Sequence, residues 1–178
     1  MGNDTEARWA TTPRSPGTAG YRDGVSAHAP IVLLIHGPNL NLLGSREPDV
    51  YGTATLDDHV ATSTAAGSEL GLTVEAHQSN HEGDLLDLIH GASGRCAAIV
   101  INPGAFTHYA WSLHDALAAF DGPVVEVHLS NPNAREPWRH TSVIAPVAAG
   151  TIAGFGGTGY ALAMRAVAAI LATSIAPA

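Results

Sequence analysis

The sequence contains no lysine at all. A mechanism that passes through an imine on a lysine amine is therefore excluded. Cys96 is the single cysteine, so no intramolecular disulfide can form, which fits a reducing compartment such as the cytoplasm. Basic residues are scarce, eight against sixteen acidic ones, for a formal net charge of −8 with neutral histidines. Nucleic-acid binding needs a basic surface, so no nucleic-acid partner is expected. Charged residues make up 13% and apolar residues 46%, a balance that excludes a disordered chain and a coiled coil. The opening residues, MGNDTEARWATTPRSPG, lack the apolar stretch of a secretory signal. Glu6 stands where a myristoylation signal needs Ser or Thr. The uncharged span Val143–Met164 is long enough to cross a bilayer, but Pro146, Gly150, Gly154, Gly156, Gly157 and Gly159 interrupt it. It reads as a strand, a glycine-rich turn and a helix start, and no membrane partner is expected.

What the sequence does hold in quantity is histidine, ten in 178 residues. A chain of this length buries enough surface in one domain to fold without disulfides or metal. Residues 1–30 have scattered prolines, glycines and charges with no apolar period and read as a flexible tail. Residues 31–178 read as one catalytic domain. Ile31–His36 is a continuous apolar run, as in a strand covered on both faces. Leu56–Leu70 reads as a helix with Thr55 as its cap and Gly71 as its stop. Leu72–Gln78, Ala97–Asn102 and Pro123–Ser130 read as strands. Asp84–Ala92, Ala110–Phe120 and Gly159–Ser174 read as helices. Ser142–Ala145 and Thr151–Ile152 mark a short fifth strand region. Strands alternating with helices imply a parallel sheet with right-handed crossovers, a three-layer α/β/α sandwich. Ligands of such sheets sit beyond the carboxyl ends of the strands.

Polar residues collect at three of those ends: Gly37-Pro38-Asn39-Leu40-Asn41, Asn102-Pro103-Gly104, and Glu126 to Asn131. Alternate residues of a strand share a face, so Glu126, His128 and Ser130 line up. A carboxylate beside an imidazole fixes its tautomer and favours its charged form, which suits His128 to act as a general acid. A buried histidine satisfied by a local hydrogen bond is the alternative reading of the same pair. The loop Gly44–Gly52 is polar and bounded by glycines, the composition of a lid with two hinges. It carries Arg46 and Tyr51. A nearby guanidinium favours tyrosinate and makes a credible base, while a surface tyrosine packing its ring is the plainer reading. Arg135 and Arg139 stand four apart, a spacing that puts them on one helical face and suits an anionic substrate. His108 and Asp115 stand two helical turns apart across a helix start. Ser112, His114 and Asp115 are adjacent without triad geometry. His77, His81 and His90 lack a metal-ligand spacing, and His36 reads as a strand-end residue. The Phe155–Gly159 turn, with no following lysine, reads as backbone packing.

From Ile31 to Ala172 the chain resembles the type II 3-dehydroquinate dehydratases. The segments that carry the resemblance are HGPNLNLLGSREPDVYG, QSNHEGDLLDLIH, INPGAFTH, EVHLSN followed by NAREPWRHTSV, and the GFGGTGY turn. Phe106, Tyr109, Trp111 and His114 depart from the family's pattern. The resemblance implies a flavodoxin-like fold with five parallel strands and a cofactor-free, metal-free elimination of water from 3-dehydroquinate to 3-dehydroshikimate. It implies Tyr51 as the base, helped by Arg46, and His128 as the acid, oriented by Glu126. Asn39 would hold a water at the enolate-like intermediate. Asn102, Leu129 and Ser130 would bind the substrate carboxylate and a nearby hydroxyl. Arg139, His108 and Asp115 would recognise ring hydroxyls, and Arg135 would stand as a second cation near Tyr51. The resemblance also implies a dodecamer, a tetramer of trimers in which Asp115 reaches a neighbour. It places the reaction in the shikimate pathway toward chorismate and the aromatic amino acids, and quinate breakdown uses the same step. The competing reading from the fold alone is a non-catalytic, flavodoxin-like module that binds phosphate or flavin.

Overall fold

The structure is a computed structural model that describes residues 29–45 and 52–175. The expected tail, apart from Ala29 and Pro30, lies outside the described residues, as do Arg46 and Tyr51. Strand β1 (Ile31–His36) is apolar up to its last residue and buried from Val32 onward, which places it inside a sheet rather than at an edge. It pairs in parallel with β2 (Thr73–Gln78) on one side and β3 (Ala98–Asn102) on the other. Next come β4 (Val124–His128) and β5 (Gly150–Ala153), giving the order β2-β1-β3-β4-β5, all parallel. This is the flavodoxin-like order. The connecting helices are α1 (Leu56–Glu69), α2 (Glu82–Ala92) and α3 (Trp111–Ala118), and α4 (Thr158–Ile175) follows β5.

Alternation along β1 assigns the layers. Val32 and Leu34 pack with Tyr160, Met164 and Val167 of α4, while Leu33 and Ile35 pack with Leu85 and Ile89 of α2 and Leu113 and Leu117 of α3. Helix α1 lies beside α4 on the first layer, and α2 beside α3 on the second. Each fully buried leucine or isoleucine stabilises the fold by about 1.5–3 kcal/mol. Gly67 brings α1 onto β2, since a Cβ there would stand 2.7 Å from Val74 Cγ2. Thr55 caps α1 as expected. Its hydroxyl accepts the Asp58 N–H at 3.2 Å, and the Asp58 carboxylate accepts the Thr55 N–H at 2.8 Å. Gly71, at φ +72°, ends the helix.

One expected element is not a strand. Ser142–Ala145 forms a tight turn instead, and the edge strand is Gly150–Ala153 alone. The Ser142 hydroxyl accepts the N–H groups of Ile144 and Ala145 at 3.1 and 2.8 Å, giving the backbone a local alternative to a ladder. Pro146 then starts a 3-10 turn over Ala145–Val147 and offers no N–H to a sheet. The uncharged Val143–Met164 span is thus a turn, β5, a glycine turn and the start of α4. No helix among the described residues is long and apolar enough to cross a membrane.

The strand order positions the site. From β1 the chain goes to β2 on one side and then crosses back to β3 on the other. The carboxyl ends of β1 and β3 therefore flank the point where the order reverses, where such sheets open a crevice. The turns after the two strands interlock there, and a Cβ on Gly37 would stand 2.4 Å from the Pro103 carbonyl oxygen.

Candidate active site

A cavity of about 280 Å³ opens at that crevice. Its wall includes Asn39, Asn102, His108, His128, Leu129, Ser130, Arg135 and Arg139, so eight of the residues singled out in the sequence meet in one place. The end of β1 contributes Asn39. Its φ of +67° is left-handed, a conformation asparagine tolerates better than most residues. A clamp from beyond β2 holds it: Asn80 Oδ1 accepts the Asn39 N–H at 2.8 Å, while Gln78 Nε2 donates to Asn80 Oδ1 at 3.1 Å and to the Gly37 carbonyl at 3.2 Å. The QSNHEG segment therefore supports the first loop, a role its spacing did not announce. The end of β3 contributes Asn102, whose buried amide accepts the Gly104 N–H at 3.2 Å and donates to Tyr160 Oη at 3.0 Å.

The end of β4 carries the most constrained pair. Glu126 is fully buried and accepts a hydrogen bond from His128 Nε2 at 2.8 Å. Three hydroxyls also donate to this carboxylate: Thr107, Ser142 at 3.1 Å and Thr151 at 3.3 Å. Burial raises the pKa of Glu126, but the His128 imidazole and the Thr107 and Ser142 hydroxyls outweigh burial and hold it below the ordinary value. The carboxylate is thus ionised and fixes His128 with its Nε2–H directed inward. Nδ1 is the ring nitrogen left for chemistry. The strand face expected for Glu126 and His128 is present, and Ser130 lines the cavity two residues past the strand. Sequence reasoning missed Thr107, Ser142 and Thr151. Thr151 lies opposite Glu126 in the β4–β5 register, and Thr107 and Ser142 come from turns 35 residues apart. Only the folded pairing brings them together.

The rim is looser. Arg135 and Arg139 do not share a helix as their spacing suggested. Pro137 keeps Glu136 extended at ψ 142°, and the segment breaks into two 3-10 turns. They converge through Glu136, whose Oε2 accepts from Arg139 Nε at 2.7 Å and stands 3.6 Å from Arg135 Nε. The Arg139 guanidinium lies 4.0 Å from the centre of the Trp138 ring, and His108 meets that ring edge-on at 5.1 Å. His108 Nδ1–H donates to the Thr141 carbonyl at 2.7 Å. Glu136 and Trp138 were missed. Glu136 is surrounded by charges in sequence, the pattern of a solvated turn, so nothing marked it as a clamp.

His108 and Asp115 do not share a helix face either. His108 ends a 3-10 turn, a separate helix begins at Trp111, and Asp115 is exposed on α3 outside the cavity. His114 Nδ1–H donates to the Val143 carbonyl at 2.7 Å and Ser112 donates to Glu82, so the adjacent Ser112, His114 and Asp115 make no triad. In the Phe155–Gly159 turn, a Cβ on Gly157 would stand 2.6 Å from His59 Cε1, which is the backbone packing expected of it.

The family model for dehydroquinase class II matches residues 30–168. A 3-dehydroquinate dehydratase of Pelotomaculum thermopropionicum is 53% identical over 142 residues, covering 80% of this chain and 99% of the relative. A catabolic 3-dehydroquinase of Aspergillus clavatus is 56% identical over 137 residues, covering 77% of this chain and 91% of the relative. The crystal structure of a type II dehydroquinase from Propionibacterium acnes superposes with a TM-score of 0.77 at 44% identity, covering 81% of this chain and 99% of that one.

Proposed function

The chain belongs to the dehydroquinase class II family and is a hydro-lyase of the 3-dehydroquinate dehydratase class; we propose that it removes water from 3-dehydroquinate without a cofactor, with Tyr51 as base and His128 as acid. The observation that carries this reading is His128 itself, held by an ionised Glu126 and placed in the same cavity as two asparagines and two arginines. Tyr51 takes the C2 proton, and Arg46 favours its tyrosinate form. The electrons of the broken C–H bond move into an enolate-like intermediate. Asn39 holds a water that stabilises its oxygen. Collapse of that intermediate forms the double bond and breaks the C1–O bond. His128 protonates the departing hydroxyl from Nδ1, so the proton and the hydroxide leave as water. Tyr160 does not compete for the base role, because full burial pushes its phenol pKa up.

Asn102, Leu129 and Ser130 receive the substrate carboxylate, with Arg139 and His108 on the ring hydroxyls and Arg135 as a further cation. Asp115, exposed and away from its own cavity, serves a neighbour's cavity in a dodecamer built as a tetramer of trimers. We place the enzyme in the cytoplasm and in the shikimate pathway, with residues 31–178 as its single catalytic domain and residues 1–30 as a tail. The deciding assay mixes purified protein with 3-dehydroquinate and follows the ultraviolet absorbance of the conjugated product. Turnover that survives a chelator and borohydride supports the mechanism; a folded protein with no turnover sinks it. Tyr51→Phe abolishes turnover with the fold retained, and substantial residual activity removes Tyr51 from the base role.

A further inference from the structure

Beneath the cavity lies a buried polar group that the mechanism does not use. Tyr160, at the start of α4, has no exposed surface, and its ring is flanked by two buried histidines, His36 at 5.3 Å and His59 at 5.5 Å between ring centres. Its hydroxyl meets a residue of the cavity wall, accepting a hydrogen bond from Asn102 Nδ2 at 3.0 Å. The other end of that amide is also committed, since Asn102 Oδ1 accepts the Gly104 N–H at 3.2 Å. An N–H can only donate, so Oδ1 must face Gly104 and Nδ2 must face Tyr160. A flipped amide would lose the Gly104 bond and set its NH2 group against the Gly104 N–H. One Nδ2–H remains, and it is the group Asn102 can offer to the cavity.

The surroundings of the phenol are apolar in effect, with two rings beside it that do not hydrogen-bond to its oxygen. Because Tyr160 Oη accepts from Asn102, its own proton must go elsewhere. His36 Nδ1 is bonded to the His77 carbonyl at 3.3 Å and so carries that ring's proton. The Nε2 atoms of His36 and His59 are buried without a protein partner, and burial lowers the pKa of both rings, so they stay neutral. An amide N–H can only donate, so the phenol oxygen is the acceptor of the Asn102 bond whichever tautomers the histidines adopt.

We propose that Tyr160 is a positioning residue that locks the Asn102 amide with its N–H toward the cavity, so that the site selects a hydrogen-bond acceptor, a carboxylate or hydroxyl oxygen of the substrate, at that point. This rests on the dehydratase reading for the identity of the ligand. Tyr160→Phe keeps the ring between the two histidines and deletes only the hydroxyl. Losing one neutral hydrogen bond to a binding group weakens affinity by about three- to tenfold.

The experiment measures the Kd of 3-dehydroshikimate together with kcat and KM for wild type, Tyr160→Phe, Asn102→Ala and the double variant. The expected result is a Kd and KM raised about three- to tenfold by Tyr160→Phe in the wild-type background, with no further change in the Asn102→Ala background. A merely structural loss lowers the amount of competent protein and kcat, and leaves Kd where it was. An unchanged Kd, or an equal rise in both backgrounds, overturns the proposal. A second measurement needs no variant at Tyr160. In the wild-type protein, one of the two Asn102 Nδ2 protons exchanges slowly with solvent by NMR, and fast exchange of both also overturns it. Wild-type protein that neither turns over 3-dehydroquinate nor binds its product overturns the dehydratase reading and this inference together. Normal wild-type activity with an unaffected Tyr160→Phe overturns the inference alone.

Discussion

Strands β1 and β4 both end in a buried histidine, and the two serve opposite purposes. His128 donates to a carboxylate that three hydroxyls also hold, and it faces the cavity. His36 has a backbone carbonyl on one nitrogen, nothing on the other, and the aromatic face of Tyr160 beside it. Burial alone lowers the pKa of an imidazole, as His36 shows at about 4. A buried carboxylate partner is what fixes the ring of a strand-end histidine at the cavity wall. The neighbour, not the residue type or its place in the strand, decides between chemistry and packing.

Removing the proposed acid breaks this comparison most sharply. His128→Gln keeps an amide donor near Glu126 and so avoids an unpartnered buried charge, but it has no transferable proton. Turnover falls by about 10²–10⁴-fold, the range of one general acid. The Kd of the product changes by no more than a few-fold, and thermal unfolding shifts little. Near-normal turnover, measured by the ultraviolet assay, reassigns the acid.

His36 gives the next effect, on stability rather than rate. Its pKa is about 4 in the folded chain against an ordinary 6.5. Between those values the unfolded chain binds more protons, so stability is full above pH 6.5 and falls as pH drops. The loss reaches about 2 kcal/mol by pH 5, before Glu126 or the other carboxylates take up protons. His59, also lowered by burial, adds in the same sense. Urea midpoints at pH 7 and pH 5 test this, and His36→Gln removes most of the slope. An unchanged slope would put the pH dependence elsewhere.

Much of this was legible in the sequence, and the reasons are local. The apolar run of β1, the Thr55 cap and the Glu126–His128 alternation depend on neighbours within a few residues, so a single chain reads them out. The same locality brought Asn39, Asn102 and Ser130 to the strand ends. What failed depends on side-chain partners that spacing does not show, some of them local and some distant. Ser142–Ala145 has strand composition, yet the Ser142 hydroxyl turns it into a bend that also reaches Glu126. Arg135 and Arg139 keep helical spacing but are joined by Glu136 across a proline break. Tyr160 meets Asn102 across 58 residues, which no spacing rule anticipates.

Glu126→Gln comes third. It removes the carboxylate that accepts from His128 Nε2 and turns an amide N–H toward hydroxyls that were donating to that carboxylate. Turnover falls by about 10–100-fold, less than for the acid itself, because His128 is still present. If this variant matched His128→Gln, the carboxylate would be taking part in proton transfer rather than orienting the ring.

The smallest effect probes how far the carboxylate is over-determined. Thr151 makes the longest of the bonds to Glu126, at 3.3 Å, and Val replaces its shape while deleting the hydroxyl. The carboxylate keeps Thr107, Ser142 and His128. Because several donors share one anion, losing the most distant costs less than a typical charge-assisted bond, and kcat/KM falls by only about two- to threefold. A loss as large as that of Glu126→Gln would mean that the hydroxyls act as one cooperative unit. The contrast with His36 would then be sharper still. A histidine with one carbonyl partner can be replaced for a cost in stability, while a histidine served through a carboxylate would depend on every group that holds the carboxylate in place.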